Sequence, residues 1–209
     1  EGKAVRDILV LHPQSTVWGN LGADIRDKGL FDDYNAGKAN AFADRFNEFC
    51  KQLLSMHYDF DLGDEQVMAE IASVKNDKMV VGKCEYSVIV MYGCQTLLKS
   101  TARLLSDFLE GGGKIIVLDN FPTKLNGKDS EFLTSLRHSK NTVYSDLSKL
   151  EHCLETTLSR KVDIRDRYHN PAGDIWYLLK ETPDCYSLFI TNCSKQNGGK
   201  TRIKLNFTG

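Results

Sequence analysis

The chain has 209 residues, and its 27 basic and 28 acidic side chains leave a formal net charge of −1. This balance removes the electrostatic basis for nucleic-acid binding. Hydrophobic residues make up 41% of the sequence, and no apolar run approaches the roughly 18 residues that a membrane span needs. The composition therefore predicts a globular chain with neither nucleic acid nor membrane as a partner.

Strand and helix patterns alternate over residues 1–159. The predicted strands are short apolar runs, and the predicted helices carry apolar residues at spacings of three and four. We expect strands at 8–11, 57–61, 87–91, 114–119 and 142–144, a minor strand at 79–81, a loop from 13 to 34, and helices at 35–55, 64–71, 96–110, 130–137 and 146–158. Glycines 111–113 are expected to cap one helix. Buried strands separated by helices predict a doubly wound, mostly parallel α/β sheet.

The pattern changes near residue 160. Residues 162–164, 174–179, 186–191 and 201–207 have strand character with no helix between them. Turn residues at 181–184 join the second and third of these strands. They predict the start of an antiparallel β domain over residues 160–209. Since that segment is short and the sequence begins without Met, we expect an incomplete β domain in a piece of a longer protein.

A group of polar and aromatic side chains follows the predicted strands. Doubly wound sheets bind ligands outside the carboxyl ends of their strands, although polar residues also suit any strand that exits into solvent. An exposed Trp18 would pack on a sugar ring, whereas a buried one would pack inside its own domain. We assign a carbohydrate cleft or domain interface to His12, Ser15, Trp18, Asp61, Asp64 and Glu65.

Cys94 is the candidate nucleophile. It follows a predicted buried strand and precedes a helix, whose N-terminus can lower a thiol pKa, and His12 is expected at the same edge of the sheet. An inert loop thiol fits the same pattern. The six cysteines lack CxxC spacing, the acidic residues near 59–65 lack EF-hand spacing, and no phosphate loop or GxSxG elbow occurs. We therefore predict no metal and no cofactor.

Several segments together resemble the glutamine amidotransferase-like domain found inside large glycoside hydrolases, above all the family 106 α-L-rhamnosidase type. They read VLHPQSTVW at 10–18, LLSMHYDFD at 53–61, YSVIVM at 86–91, LSDFLEGGGKII at 105–116 and YSLFITN at 186–192. The resemblance implies a flavodoxin-like, class I glutamine amidotransferase-like fold. It also implies that the glycosidic bond is cut by a separate barrel domain, for which this chain is too short.

Active amidotransferases carry a nucleophilic Cys on the turn after the strand that follows the Gly-Gly segment. Here that turn reads Asp119-Asn120, and Cys94 lies one strand earlier. The resemblance therefore implies a non-catalytic accessory domain of a bacterial glycosidase, which packs on the catalytic barrel and helps to shape its carbohydrate cleft. Its partners would be the other domains of that enzyme and carbohydrate, in the cytoplasm, the periplasm or outside the cell.

Two other functions remain open at this point. The chain could be a Cys-dependent hydrolase or amidotransferase that uses Cys94 and His12. It could instead be an oligomerisation module that forms a homo-oligomer, as in related galactosidases.

Overall fold

A computed structural model describes residues 2–20, 33–194 and 199–206, with residues 33–39 described by their backbone alone. The helices are α1 (Gln14–Asn20), α2 (Asp33–Ser55), α3 (Glu65–Ile71), α4 (Lys99–Glu110), α5 (Phe132–Arg137) and α6 (Leu150–Thr157). The strands are β1 (Lys3–Ala4), β2 (Ile8–Leu11), β3 (Phe60–Gly63), β4 (Ala72–Lys75), β5 (Lys78–Val81), β6 (Cys84–Tyr86), β7 (Val88–Met91), β8 (Thr96–Leu97), β9 (Lys114–Val117), β10 (Lys124–Leu125), β11 (Lys128–Asp129), β12 (Thr142–Tyr144), β13 (Val162–Asp166), β14 (Ile175–Glu181), β15 (Tyr186–Asn192) and β16 (Thr201–Leu205).

A five-stranded sheet forms the centre of the fold. Its order is β12-β9-β7-β2-β3, and every pairing in it is parallel. Numbered by their order in the chain and taken from the β3 edge, these strands run 2-1-3-4-5, which is consistent with a flavodoxin-like sheet. The predicted α/β architecture with a mostly parallel sheet is therefore confirmed.

Both faces of this sheet are covered by helices. In β2, Ile8 and Val10 pack towards α2 and α6, whereas Leu9 and Leu11 pack towards α3, α4 and α5. None of these four residues is more than 1% exposed. Because successive strand residues point to opposite faces, a strand covered on both sides is apolar throughout. That explains the continuous apolar runs of the sequence.

The glycines after α4 cap that helix as predicted. Gly112 has φ +99°, a backbone conformation that favours glycine. Its N–H donates to Leu109 O at 3.2 Å, and the N–H of Gly113 donates to Phe108 O at 2.8 Å. These two bonds satisfy carbonyl groups at the helix C-terminus and turn the chain directly into β9.

Three local elements differ from the sequence-based expectations. Helix α1 occupies the start of the predicted loop, and the rest of that loop, 21–32, lies outside the described residues. The predicted strand at 57–61 is displaced, because the observed β3 begins only at Phe60. The predicted minor strand at 79–81 belongs to a three-stranded antiparallel sheet, β4-β5-β6, and packs into the same apolar cluster as α4.

The C-terminal strands form a separate antiparallel β element. β14 pairs with β15 across the predicted turn, and β13 pairs with β16, both antiparallel; the second of these pairings was not predicted. Val162, Ile164 and Leu179 are fully buried between them. Strand β1 pairs with β14, so the first strand of the predicted domain 1–159 lies in a sheet of the predicted domain 160–209. The division into two domains remains a prediction.

Arg160 ties this β element to the α/β layer. Its Nη2 donates to Glu151 Oε1 at 2.7 Å and to Glu155 Oε1 at 2.9 Å, both on α6. Its Nη1 donates to Asp163 Oδ1 on β13 at 3.2 Å. The guanidinium carbon lies 5.0 Å from the centroid of the Tyr58 ring, within cation–π range. The side chain is only 7% exposed, so one buried cation bridges both parts.

Candidate functional site

The candidate site is the carboxyl edge of the central sheet. The strand order reverses between β2 and β7, and in doubly wound sheets this crevice is where ligands bind. His12 follows β2, and Asp119 lies just beyond β9. Between them runs the segment 92–98 that follows β7, here called the edge loop. Its backbone groups decide what the site can do chemically.

Neighbouring side chains already bind several N–H groups of the edge loop. Gly93 donates to Asp119 Oδ2 at 2.9 Å, and Gln95 donates to Thr16 Oγ1 at 2.9 Å. Thr16 is 2% exposed, because α1 lies against the loop. These donors are held by the protein itself, so they are not free to stabilise a substrate oxyanion.

Glu65 closes the other end of the edge loop. Its side chain is 3% exposed, and its Oε2 accepts the N–H of Leu98 at 2.7 Å, at the entrance to α4. A carboxylate is favourable there because backbone N–H groups and the helix dipole both stabilise negative charge. Asp64, its neighbour, caps α3 by accepting from Gln66 N and Val67 N. Both acidic residues therefore have structural hydrogen-bonding roles at helix starts.

Cys94 lacks the environment of a nucleophile. It is 4% exposed, and its Sγ contacts Tyr92 O at 3.9 Å. Burial raises the pKa of the thiol, and the nearby charges of Glu65 and Asp119 raise it further. Because the thiolate is the reactive form, this side chain stays a protonated, packed thiol at neutral pH.

His12 packs into a row of aromatic rings. Its ring centroid lies 5.6 Å from that of Phe46, which is 5.9 Å from Phe49, which in turn is 5.1 Å from Tyr92. These tilted contacts join β2, α2 and the edge loop. The imidazole thus helps to anchor α2 to the edge of the sheet.

Ser15 and Trp18 lie on α1, not in a loop. Ser15 is half-buried, whereas Trp18 is 58% exposed, so the expectation of a Trp buried in its own domain does not describe it. Asn20 ends the helix, and its Nδ2 donates to Thr16 O at 2.8 Å and to Gln95 Oε1 at 3.2 Å. Helix α1 therefore contacts the edge loop through Thr16 and Asn20 and also carries the exposed indole of Trp18.

Asp61 lies away from this edge, contrary to the expectation that it faces the same cleft as His12. It sits in the amino-terminal half of β3, where it forms an ion pair with Arg6 and accepts from Tyr86 Oη at 2.8 Å. Arg6 also binds Asp59 at 2.8 Å. The prediction failed because β3 begins three residues later than expected, so Asp61 lies inside the strand rather than at its carboxyl end.

Sequence reasoning missed Thr16 and the roles of Glu65 and Asp119. A buried Thr that accepts from a loop 79 residues away leaves no local pattern. Within the described ranges 2–20, 33–194 and 199–206, no group of three or more His, Cys, Asp or Glu side chains is arranged to hold a metal ion.

In the same described ranges, no helix combines the length and the apolar character that crossing a membrane requires.

No protein-family model matches the sequence, and no curated protein matches it. Among solved structures, the chain is similar to the apo exo-carrageenase GH42 from Bacteroides ovatus, with a TM-score of 0.59 and 12% sequence identity. The match covers 96% of this chain and 24% of that one. The chain thus spans about a quarter of a glycoside hydrolase whose fold it shares in that part; at this identity the likeness concerns the fold alone.

Proposed function

We propose that this chain is a non-catalytic accessory domain of a multidomain glycoside hydrolase, packed against the catalytic barrel and helping to shape the carbohydrate cleft. The fold shared with part of a larger glycoside hydrolase supports the setting. In the GH42 neighbour, the matching part is 24% of the chain, which leaves most of that enzyme for other domains.

The edge loop is the observation that carries this proposal. An acyl-transfer site needs free N–H donors aimed at the developing oxyanion. Here the N–H of Gly93 is bound by the Asp119 carboxylate, which would also repel an oxyanion. With Cys94 buried and protonated and the N–H groups of Gly93 and Gln95 already bound, the described part of the edge offers a hydrolase or amidotransferase neither a reactive thiol nor these two donors.

The finer identity belongs to the same proposal. The strand order and the Asp119-Asn120 turn support descent from an amidotransferase-like fold that lost its nucleophile. The segments quoted above support a parent enzyme of the α-L-rhamnosidase type. Trp18, exposed on α1, is the residue we propose for contact with sugar or with the barrel.

Thiol labelling tests the absence of a nucleophile. With iodoacetamide at pH 7.5, the exposed Cys185 and Cys193 should react at rates normal for free thiols, and Cys94 should react slowest of the six. Peptide mass spectrometry gives the six rates, and Cys185 serves as the internal control. If Cys94 is labelled faster than Cys185, the accessory role is wrong and the enzyme hypothesis returns.

Kinetics of the enzyme encoded by the complete reading frame test the cleft. Trp18→Ala should lower kcat/KM for an oligosaccharide about tenfold, because an aromatic contact contributes on the order of 1 kcal/mol beyond area burial. Phe132→Ala, which removes a comparably exposed ring from α5, is the matched control and should leave kcat/KM unchanged. Equal values for both variants and the parent would contradict the proposed role of Trp18.

A further inference from the structure

His57 occupies an unusual position at the end of α2. Its φ is +59°, in the left-handed region that glycine normally occupies after a helix. Its N–H donates to Leu54 O at 3.0 Å, and the N–H of Tyr58 donates to Leu53 O at 3.0 Å. These are the two bonds of a glycine-type helix cap, formed here by a residue with a large side chain. Such backbone strain persists only where the surroundings hold it.

The surroundings that hold His57 all belong to the β element. The side chain is buried, at 1% exposure. Its Nε2 lies 3.2 Å from Ala172 O, and the N–H of Ile164 in β13 points at its Nδ1 at 3.4 Å. The Tyr177 hydroxyl in β14 donates to the His57 carbonyl at 3.3 Å. One residue thus joins α2 to β13, to the segment before β14 and to β14 itself.

These contacts accept only the neutral ring. A carbonyl can only accept, so Nε2 must donate to Ala172; a backbone N–H can only donate, so Nδ1 must accept from Ile164. Protonation of Nδ1 would place a second donor opposite the N–H of Ile164, and neither group could accept a hydrogen bond. The charged groups that act on the ring are Arg160, just before β13, and Asp163, within β13; the Tyr177 phenol of β14 lies at the His57 carbonyl. Burial lowers the pKa of His57 most, the backbone of Ala172 raises it, Arg160 lowers it, and Asp163 and the backbone of Ile175 raise it; the net direction is downward.

We propose that His57 is an acid-sensitive latch: the neutral ring docks the β element on α2, and protonation of the ring releases β13 and β14 from the α/β layer. The inference is separate from the accessory role, since it concerns how the two parts of the chain are held together. Because the docked state requires a neutral ring, it loses stability as the pH falls below the ordinary histidine pKa of about 6.5.

Hydrogen exchange followed by mass spectrometry tests the latch on the whole chain. After correction for intrinsic exchange rates, opening of peptides covering 162–181 should increase between pH 7.5 and pH 5.0. One histidine that titrates only in the open state allows an increase of up to about thirtyfold. Peptides covering β2 and β7 should keep their protection, which distinguishes release from global unfolding.

Two variants complete the test. His57→Asn removes the titration but keeps an amide and a residue type that tolerates positive φ, so opening of 162–181 should become independent of pH. His152→Asn removes an exposed histidine from α6 and should behave like the parent. If His57→Asn does not fold, His57→Gln takes its place. Constant protection in the parent, or the same pH dependence in the parent and the His57 variant, would overturn the latch.

Discussion

Replacement of Glu65 tests most directly whether protein side chains satisfy the backbone N–H groups at the sheet edge. Its carboxylate is almost fully buried and accepts the N–H of Leu98 at 2.7 Å. It also lies in the first turn of α3, where negative charge is favourable. Glu65→Ala removes both interactions, whereas Glu65→Gln keeps a neutral acceptor of the same length. The pair therefore separates the hydrogen bond from the charge.

The expected magnitudes follow from these contacts. A hydrogen bond to a charged group contributes about 1.5–3 kcal/mol, and a carboxylate at a helix start contributes about 0.3–1 kcal/mol. Replacing the carboxylate also removes the free-energy cost of burying a charged group, and this offsets part of the loss. We therefore expect Glu65→Ala to lower the free energy of unfolding by about 1–3 kcal/mol, and Glu65→Gln by about 1 kcal/mol or less.

Urea unfolding followed by circular dichroism measures these differences through the transition midpoint. Glu70→Gln, an exposed position on the same helix, is the control and should shift stability by no more than about 0.5 kcal/mol. If Glu65→Gln is as stable as the parent or more stable, the carboxylate is not compensated by the backbone N–H groups, and the account of the closed edge is refuted.

Two further substitutions test the packing around the site and the joint. Gly93→Ala should lower the free energy of unfolding by about 2–4 kcal/mol, because Gly93 has φ +73° and a Cβ there would lie 2.6 Å from the Phe42 ring. Gly127→Ala, with φ +79° and open space around it, should cost only about 1–2 kcal/mol, and equal losses would contradict the overlap. Arg160→Ala should cost about 2–3 kcal/mol, below the range for fully buried pairs because its carboxylate partners are partly exposed. Arg160→Lys should lower the free energy of unfolding by less, because it keeps the charge. A lower melting temperature for Arg160→Lys than for Arg160→Ala would contradict the bridging role.

The central sheet was predictable because its signal is local. A strand buried on both faces must be apolar throughout, as Ile8–Leu11 and Val88–Met91 are, and a helix end marked by Gly111–Gly113 leaves few alternatives for the chain that follows. The strand order adds little uncertainty, since right-handed crossovers restrict how such strands can be arranged.

The position of Asp61 was not predictable for the opposite reason. Residues 57–61 alternate polar and apolar side chains, as a half-buried strand does. Yet the His57 side chain is buried against the β element, whose contacting residues lie more than 100 positions further along the chain. The helix cap at His57 delays the start of β3. No local sequence pattern indicates that His57 packs against the β element. Because the predicted strand began three residues too early, the prediction placed Asp61 at the end of the strand instead of inside it.

The same distinction explains why the residues of the edge were recognised but their roles were not. Asp119 lies just beyond β9, and a carboxylate after a strand suggests chemistry. Its Oδ2 instead accepts the Gly93 N–H, a contact between segments 26 residues apart that no local pattern indicates. A carboxylate that binds this N–H leaves the donor unavailable to a substrate oxyanion. The edge can then be kept for packing alone, which is why Trp18, outside this closed network, is where binding should be sought.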